Sequence, residues 1–359
     1  PLATRSPPRR PSPRATTDTA DIERPPMFSL RHRRTIFSAV AAAAAAVLLA
    51  ACGSSATSSD AAGGPAGTVT VNVGALVGSD TGLALARSEG VLDSDIKAAG
   101  GTVKYLGPFP AFAPAAEAMK AGDVDLTIGG LLSWIGGVAA NPDLEVFAYQ
   151  PEQPDAEGIV AAKSSGITSI SDLKGKTVAY NEAGTGDYLL RLALAKAGLS
   201  ENDIKAVNLA PADAATAFAS GKIDAWATWG SFLATAATAP GAQVIANGGD
   251  LGSANDTVYV VNKSFADAHP AQLKAVYQAL VSAASKAASD TSLYTQARQK
   301  DGLSQTVINY LAKVPPVQVK PVTPDAITRW QEAADFWTSQ DVIPTKVDIA
   351  HEVITNLGD

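Results

Sequence analysis

The sequence predicts a two-lobed α/β protein with a ligand cleft between the lobes. Two observations carry the prediction. One is an internal repeat of about 100 residues, and the other is the same strand–helix alternation inside each copy. A third, the single cysteine in 359 residues, excludes a disulfide framework and assigns the segment ahead of the lobes.

Residues 1–26 come first. "RSPPRRPSPR" is rich in Pro and Arg and cannot bury a core. It reads as an over-called extension ahead of a start at Met27, with a disordered basic arm as the alternative. Residues 27–51 then show a basic flank (Arg31, Arg33, Arg34) and an apolar run from about Thr35 to Leu49, closing on Leu49-Ala50-Ala51-Cys52. This is secretory-signal order, and the run falls short of the roughly 20 apolar residues of a membrane span. Small residues before a Cys resemble the lipobox of bacterial lipoproteins, which implies cleavage before Cys52 and lipid on its new N-terminus. Cys52 is then a tether rather than a nucleophile or metal ligand. Residues 52–67, rich in Gly, Ser and Ala, form a flexible linker behind it.

Charge narrows the partners. The chain carries −7, but residues 1–51 hold eight Arg, no Lys and three acidic residues. Of 28 basic and 35 acidic side chains, 20 and 32 remain, a net −12. Such a body is no nucleic-acid binder, and it gains nothing electrostatically from anionic lipid, so the lipid does the anchoring.

The repeat then sets the elements. "LALARSEGVLDSDIKA" (83–98) returns as "LALAKAGLSENDIKA" (192–206), and "EAMKAGDVDLTIGG" (117–130) as "TAFASGKIDAWATWG" (216–230). Each copy opens with a strand (Val69–Val73; Thr177–Tyr180), a Gly-rich turn and a helix with apolar residues at helical spacing. A second strand follows (Val103–Leu106; Ala206–Leu209), then a helix ending near Gly122 or Gly221. A third strand (Asp125–Ile128; Ala225–Thr228) leads through a small-residue turn into another helix. Right-handed crossovers make a parallel-type sheet in each lobe. Ligands in such sheets sit at the carboxyl ends of the strands. Four loops lie there: "VGSDTG" (77–82), "IGGLLSW" (128–134), "NEAGTGDY" (181–188) and "WATWGSF" (226–232), two per lobe.

Candidate ligand residues come from those loops. Ser79, Asp80, Thr81, Thr185, Gly186 and Asp187 open helices, where backbone N–H groups and hydroxyls hold anions. The same residues are also good helix caps, and both readings stand. Asp187 would repel an anion unless it points away or meets the cationic end of a zwitterion. Ser133, Trp134, Tyr188 and Trp229 wall the pocket or pack between strand and helix. Trp330 and Trp337, seven apart in "DAITRWQEAADFW", are helix-face packing. Enzyme chemistry is not expected. His269 and His351 are the only histidines after position 51, both away from these loops, and there is no Gly-x-Ser-x-Gly, Walker loop or metal-spaced cluster. No cofactor and no metal are expected.

The stretch 170–237, with "DLKGK" (172–176) and "ADAATAFASGKIDAWA" (212–227), resembles the solute-binding proteins of ABC importers for aliphatic sulfonates, taurine and nitrate. The tail 315–349, ending "KVDI", is similar to the aliphatic-sulfonate members in particular. The likeness runs from about 69 to 354. It implies the type II periplasmic-binding-protein-like fold. Lobe 1 is then 68–163 and 257–359, lobe 2 is 164–256, and strands Glu157–Lys163 and Thr257–Asn262 form the hinge. It implies a monomeric, lipid-anchored extracytoplasmic receptor that takes a small organic anion, most simply an aliphatic sulfonate, to a permease and its ATPase. A zwitterion such as taurine, nitrate or a pyrimidine precursor are the alternatives on the same fold. The chain departs from the family pattern at Ala183–Tyr188 (commonly Ser/His-rich), at Gly230-Ser231-Phe232 (commonly Asp-Pro-Tyr) and at Phe112 (commonly Gly).

Overall fold

Two mixed sheets, each covered by helices on both faces, build the protein; the computed structural model describes residues 68–77 and 81–358. The segments expected as leader and linker, with Cys52, and the candidates Ser79 and Asp80 lie outside the described residues. The strands are β1 (Val69–Leu76), β2 (Gly101–Phe109), β3 (Leu126–Gly130), β4 (Leu144–Gln150), β5 (Glu157–Ala161), β6 (Thr177–Tyr180), β7 (Lys205–Asn208), β8 (Ala225–Trp229), β9 (Gln243–Asn247), β10 (Thr257–Asn262) and β11 (Lys320–Pro321). The first sheet runs β2-β1-β3-β10-β4-β11 and the second β7-β6-β8-β5-β9.

The repeat is therefore topological. β1, β2, β3 and β4 match β6, β7, β8 and β9, and in each sheet the fourth position is taken by an antiparallel strand, β10 or β5. The sheets are thus mixed, where strand–helix alternation alone predicts parallel ones. Central strands read as continuous apolar runs because both faces are covered: every residue of β4 ("LEVFAYQ") and β5 ("EGIVA") is buried. One repeated device is visible atom by atom. Asp125, just ahead of β3, accepts from Asn72 N at 2.7 Å on β1; Asp224, just ahead of β8, accepts from Thr177 N at 2.9 Å on β6. The Gly-x-x-Asp of each copy pins its third strand to its first.

The chain passes between lobes at 151–156 and 248–256. Glu157–Ala161, expected as a crossing strand of lobe 1, instead pairs with β8 and β9 inside the second sheet. Its apolar run needs two strand neighbours to satisfy its backbone, and the second sheet supplies them. Asp256 fastens the two crossings together. Its Oδ1 accepts from Glu152 N at 2.8 Å, and its Oδ2 accepts from Trp330 Nε1 at 2.8 Å and Arg329 Nη2 at 3.0 Å.

The C-terminal helices pack mainly on the first lobe. Helix Pro270–Ser289 covers helices Gly82–Ser88 and Val91–Ala98. Helix Pro324–Ser339 starts on Pro324 with Thr323 as its cap and lays Trp330 and Trp337 into the core, Trp330 edge-on to Tyr149 and Trp134. Helix Gln305–Leu311 is the exception. Its Val307 and Leu311 pack on Ala234 of the second lobe.

Candidate functional site

Between the lobes lies a cleft of about 120 Å³, lined from both sheets and both crossings. Thr81, Phe112, Gly130 and Ser133 come from the first lobe. Asn181, Thr185 and Trp229 come from the second, and Gln150, Glu152, Glu157 and Asn255 from the crossings and their flanking strand ends. This is the carboxyl end of the parallel strands, where such sheets take ligands.

Helical phase decides which predicted residues reach it. Thr185 opens helix Thr185–Lys196 and faces the cleft, its Oγ1 accepting from Asn255 Nδ2 at 3.0 Å. The next three residues turn away. Gly186 packs on β8, where a side chain would meet Ala227 O at 2.4 Å. Asp187, 1% exposed, accepts from Ala183 N at 2.9 Å and from Arg191 Nε at 2.6 Å. Burial raises its carboxyl despite those partners. Tyr188 is buried against Phe336 and Trp337. These three, expected in the cleft, form instead the joint between helix and core. Ser133 and Trp134 divide the same way: Ser133 lines the cleft, whereas Trp134 is fully buried and donates Nε1 to Leu144 O at 2.8 Å. A step of one residue rotates the side chain by about 100°. Trp229 lines the cleft at the end of β8, edge-on to Phe232.

Thr81 is both lining and cap: its Oγ1 accepts from Ala84 N at 3.2 Å. The adjacent Gly82 N donates to the buried Tyr259 hydroxyl at 3.0 Å. Leu131 N and Leu132 N, opening the helix after β3, donate to Asp256 O and Asn255 Oδ1. Gly230 N donates to Ala156 O. Three of the four helix starts thus spend leading amides inside the protein. At the fourth, the N–H groups of Thr185 and Gly186 precede the first residue that can find an intrahelical acceptor.

Sequence reasoning missed the centre of the site. Asn255 Nδ2 donates to Glu157 Oε2 at 2.9 Å as well as to Thr185, so one side chain ties crossing, second lobe and first lobe together. Gly130 leaves room for it, since a methyl there would lie 2.6 Å from Thr185 Oγ1 and 3.0 Å from Asn255 Oδ1. Glu157 is 4% exposed. Burial pushes its carboxyl up to about 7, with the charge of Asp256 adding to the rise and the neighbouring Ser253 and Asn255 opposing it. Burial likewise pushes Glu152 up to about 7, helped by Glu157 and Asp256 and opposed by Arg329. The available signal was an acidic or amide residue at the mouth of an apolar strand, in "EGIVAA" and in "NDTVYVVN". Phe112 covers Gly129 and Gly137, and its ring lines that side of the cleft.

Comparison with known proteins gives one family and several close likenesses. The family described as NMT1/THI5 like matches residues 145–291. A protein of Escherichia coli (strain K12) assigned as an aliphatic sulfonates-binding protein is 32% identical over 247 residues, 68% of this chain and 77% of its own length. Among solved structures, the alkanesulfonate-binding protein SsuA of Xanthomonas axonopodis pv. citri, bound to MOPS, is 30% identical with a TM-score of 0.74, over 81% of this chain and 99% of that one. The periplasmic aliphatic sulphonate binding protein SsuA of Escherichia coli is 30% identical with a TM-score of 0.70, over 79% and 92%.

Proposed function

This chain belongs to the NMT1/THI5-like family, among the relatives of the aliphatic-sulfonate-binding proteins of ABC importers, and from that premise we propose that it is an extracytoplasmic solute-binding receptor. It captures a small organic anion, an aliphatic sulfonate, between its lobes and presents it to a membrane permease driven by an ATPase. The observation that carries this reading is the two-lobe cleft at the strand ends, where Thr185 of one lobe, Asn255 of the crossing and Gly130 of the other converge. The sulfonate oxygens accept from the N–H group that opens the Thr185 helix and from the Ser133 hydroxyl, and Trp229 walls the alkyl chain. A ligand touching both lobes favours the closed arrangement by its differential affinity for it. The chain performs no reaction, needs no cofactor and acts as a monomer. Cys52 carries the lipid that tethers it.

A thermal-shift panel on the purified chain tests the assignment, with alkanesulfonates, taurine, nitrate, pyrimidines and amino acids. A ligand at 100 times its Kd stabilises by about 2.7 kcal/mol, a shift of several degrees. A shift with nitrate or a pyrimidine alone would sink the sulfonate assignment, and turnover of any ligand would make the chain an enzyme. For the tether, Cys52→Ser should move the protein from the membrane to the soluble fraction.

A further inference from the structure

The cleft's charge is unexpected for an anion receptor. Among the described residues that line it are two glutamates and no Lys, Arg or His. Its polar groups are also unevenly satisfied. Six buried side-chain polar atoms among the described residues have no hydrogen-bond partner, and four line this one cleft: Gln150 Oε1, Glu152 Oε1, Glu157 Oε1 and Asn181 Oδ1. All four are acceptors. A buried acceptor without a donor costs about 1–3 kcal/mol, so four around one cavity point to an absent donor.

The two glutamates act on the same space. A methyl on Gly248 would lie 2.5 Å from Glu152 Oε1 and 2.9 Å from Glu157 Oε1, so a single small group can touch both oxygens. Glu157 is held from behind, through Oε2, by Asn255, which also holds Thr185. The carboxylate pair and the anion-accepting helix start therefore lie within one short molecule's length, joined by a single side chain.

We propose that the ligand carries a basic nitrogen a few bonds from its anionic group, an aminoalkanesulfonate in class, and that Glu157 and Glu152 receive the ammonium while the Thr185 helix start receives the sulfonate. This rests on the receptor reading above and narrows its ligand. A charge-assisted contact with one or two carboxylates supplies the donors that the cleft lacks. The raised carboxyls agree with it. The empty pair retains proton near neutrality, and an incoming ammonium displaces it.

Isothermal titration of the purified chain at pH 7 tests this with three probes: 2-aminoethanesulfonate, the isosteric propane-1-sulfonate and propylamine. We expect the aminosulfonate to bind at least ten-fold more tightly than propanesulfonate, with proton release visible as a dependence on buffer ionisation enthalpy. Glu157→Gln, and separately Glu152→Gln, should shrink that affinity ratio ten-fold or more; the wild-type comparison stands even if a variant folds poorly. A ratio of one or below, or binding without proton release, would overturn the nitrogen site and leave the sulfonate receptor intact. The glutamates would then share a proton as a structural pair. Binding of propylamine without either sulfonate would keep the nitrogen site and sink the sulfonate reading. No binding of any probe overturns both.

Discussion

Asp256→Ala is the sharpest test of how the crossings are held. The carboxylate is 1% exposed and accepts three hydrogen bonds. Two of its donors, the Trp330 indole and the Glu152 amide, are left without an acceptor by the change, at about 1–3 kcal/mol each. The third, Arg329, has a side chain 45% exposed and can turn to water, so its loss counts for little. Against this, removing the charge relieves repulsion with Glu152 and Glu157, whose carboxyls it helps to raise. The net expectation is a loss of about 3 kcal/mol. Asp256→Asn keeps one carbonyl acceptor but turns an amide donor on the others, and should cost about half as much. Urea unfolding followed by tryptophan fluorescence, with Trp330 beside the change, measures both. A loss under about 0.5 kcal/mol for Asp256→Ala, or equal losses for the two variants, would refute the stranded-donor reasoning.

Other expectations follow from the same contacts. Gly130→Ala drives a methyl against Thr185 and Asn255; it should prop the lobes apart, weaken ligand ten-fold or more and raise the solution radius of gyration in X-ray scattering with saturating ligand. Thr185→Ala and Trp229→Ala should each weaken binding by titration calorimetry, and wild-type affinity in both would remove the cleft assignment. Trp134→Ala should cost about 3–5 kcal/mol in stability by core loss while leaving affinity within two-fold. The pH dependence has a definite sign. The Glu157 carboxyl is raised from its ordinary value to about 7, so the folded chain holds a proton that the unfolded chain loses near pH 4.5. Its contribution is fully present below about 4.5 and is lost as pH rises through about 7. Tm should fall by about 4 °C or more between pH 5 and 7.5, and Glu157→Gln should flatten that slope.

Three strands of each lobe were legible because the repeat shows them twice, whereas β4, β9 and β11 went unread. Asp125 and Asp224 sit at matched places in matched motifs and do the same work. What one copy leaves ambiguous, the other supports. The site was half legible. Gly-rich loops and strand-end aromatics marked four junctions that line the cleft, but a loop does not declare its phase. Ser133 and Trp134, or Thr185 and Asp187, differ by a residue or two and by an entire environment. Asn255, Glu152 and Glu157 were illegible for another reason. They lie in the crossings or at the strand end beside them, where periodicity says nothing, and their meaning depends on a partner about 100 residues away. The position of β5 was missed for the same cause: strand pairing across the crossing is not a local property.

The interleaving of the sheets has a consequence for how the chain comes into being. Residues 157–247 hold every strand of the second sheet in one uninterrupted stretch, whereas the first sheet keeps its place between β3 and β4 open until Thr257–Asn262 arrives. A chain emerging N-terminus first can complete its second lobe while the first still has a slot at its centre, flanked by unpaired strand edges. Asn255 and Asp256 immediately precede the strand that fills the slot. The strand that fills the slot therefore also brings in the side chains that join the first lobe to the second, so the binding cleft cannot form until both sheets hold their central strands, and Leu311 and Val314 reach it later still.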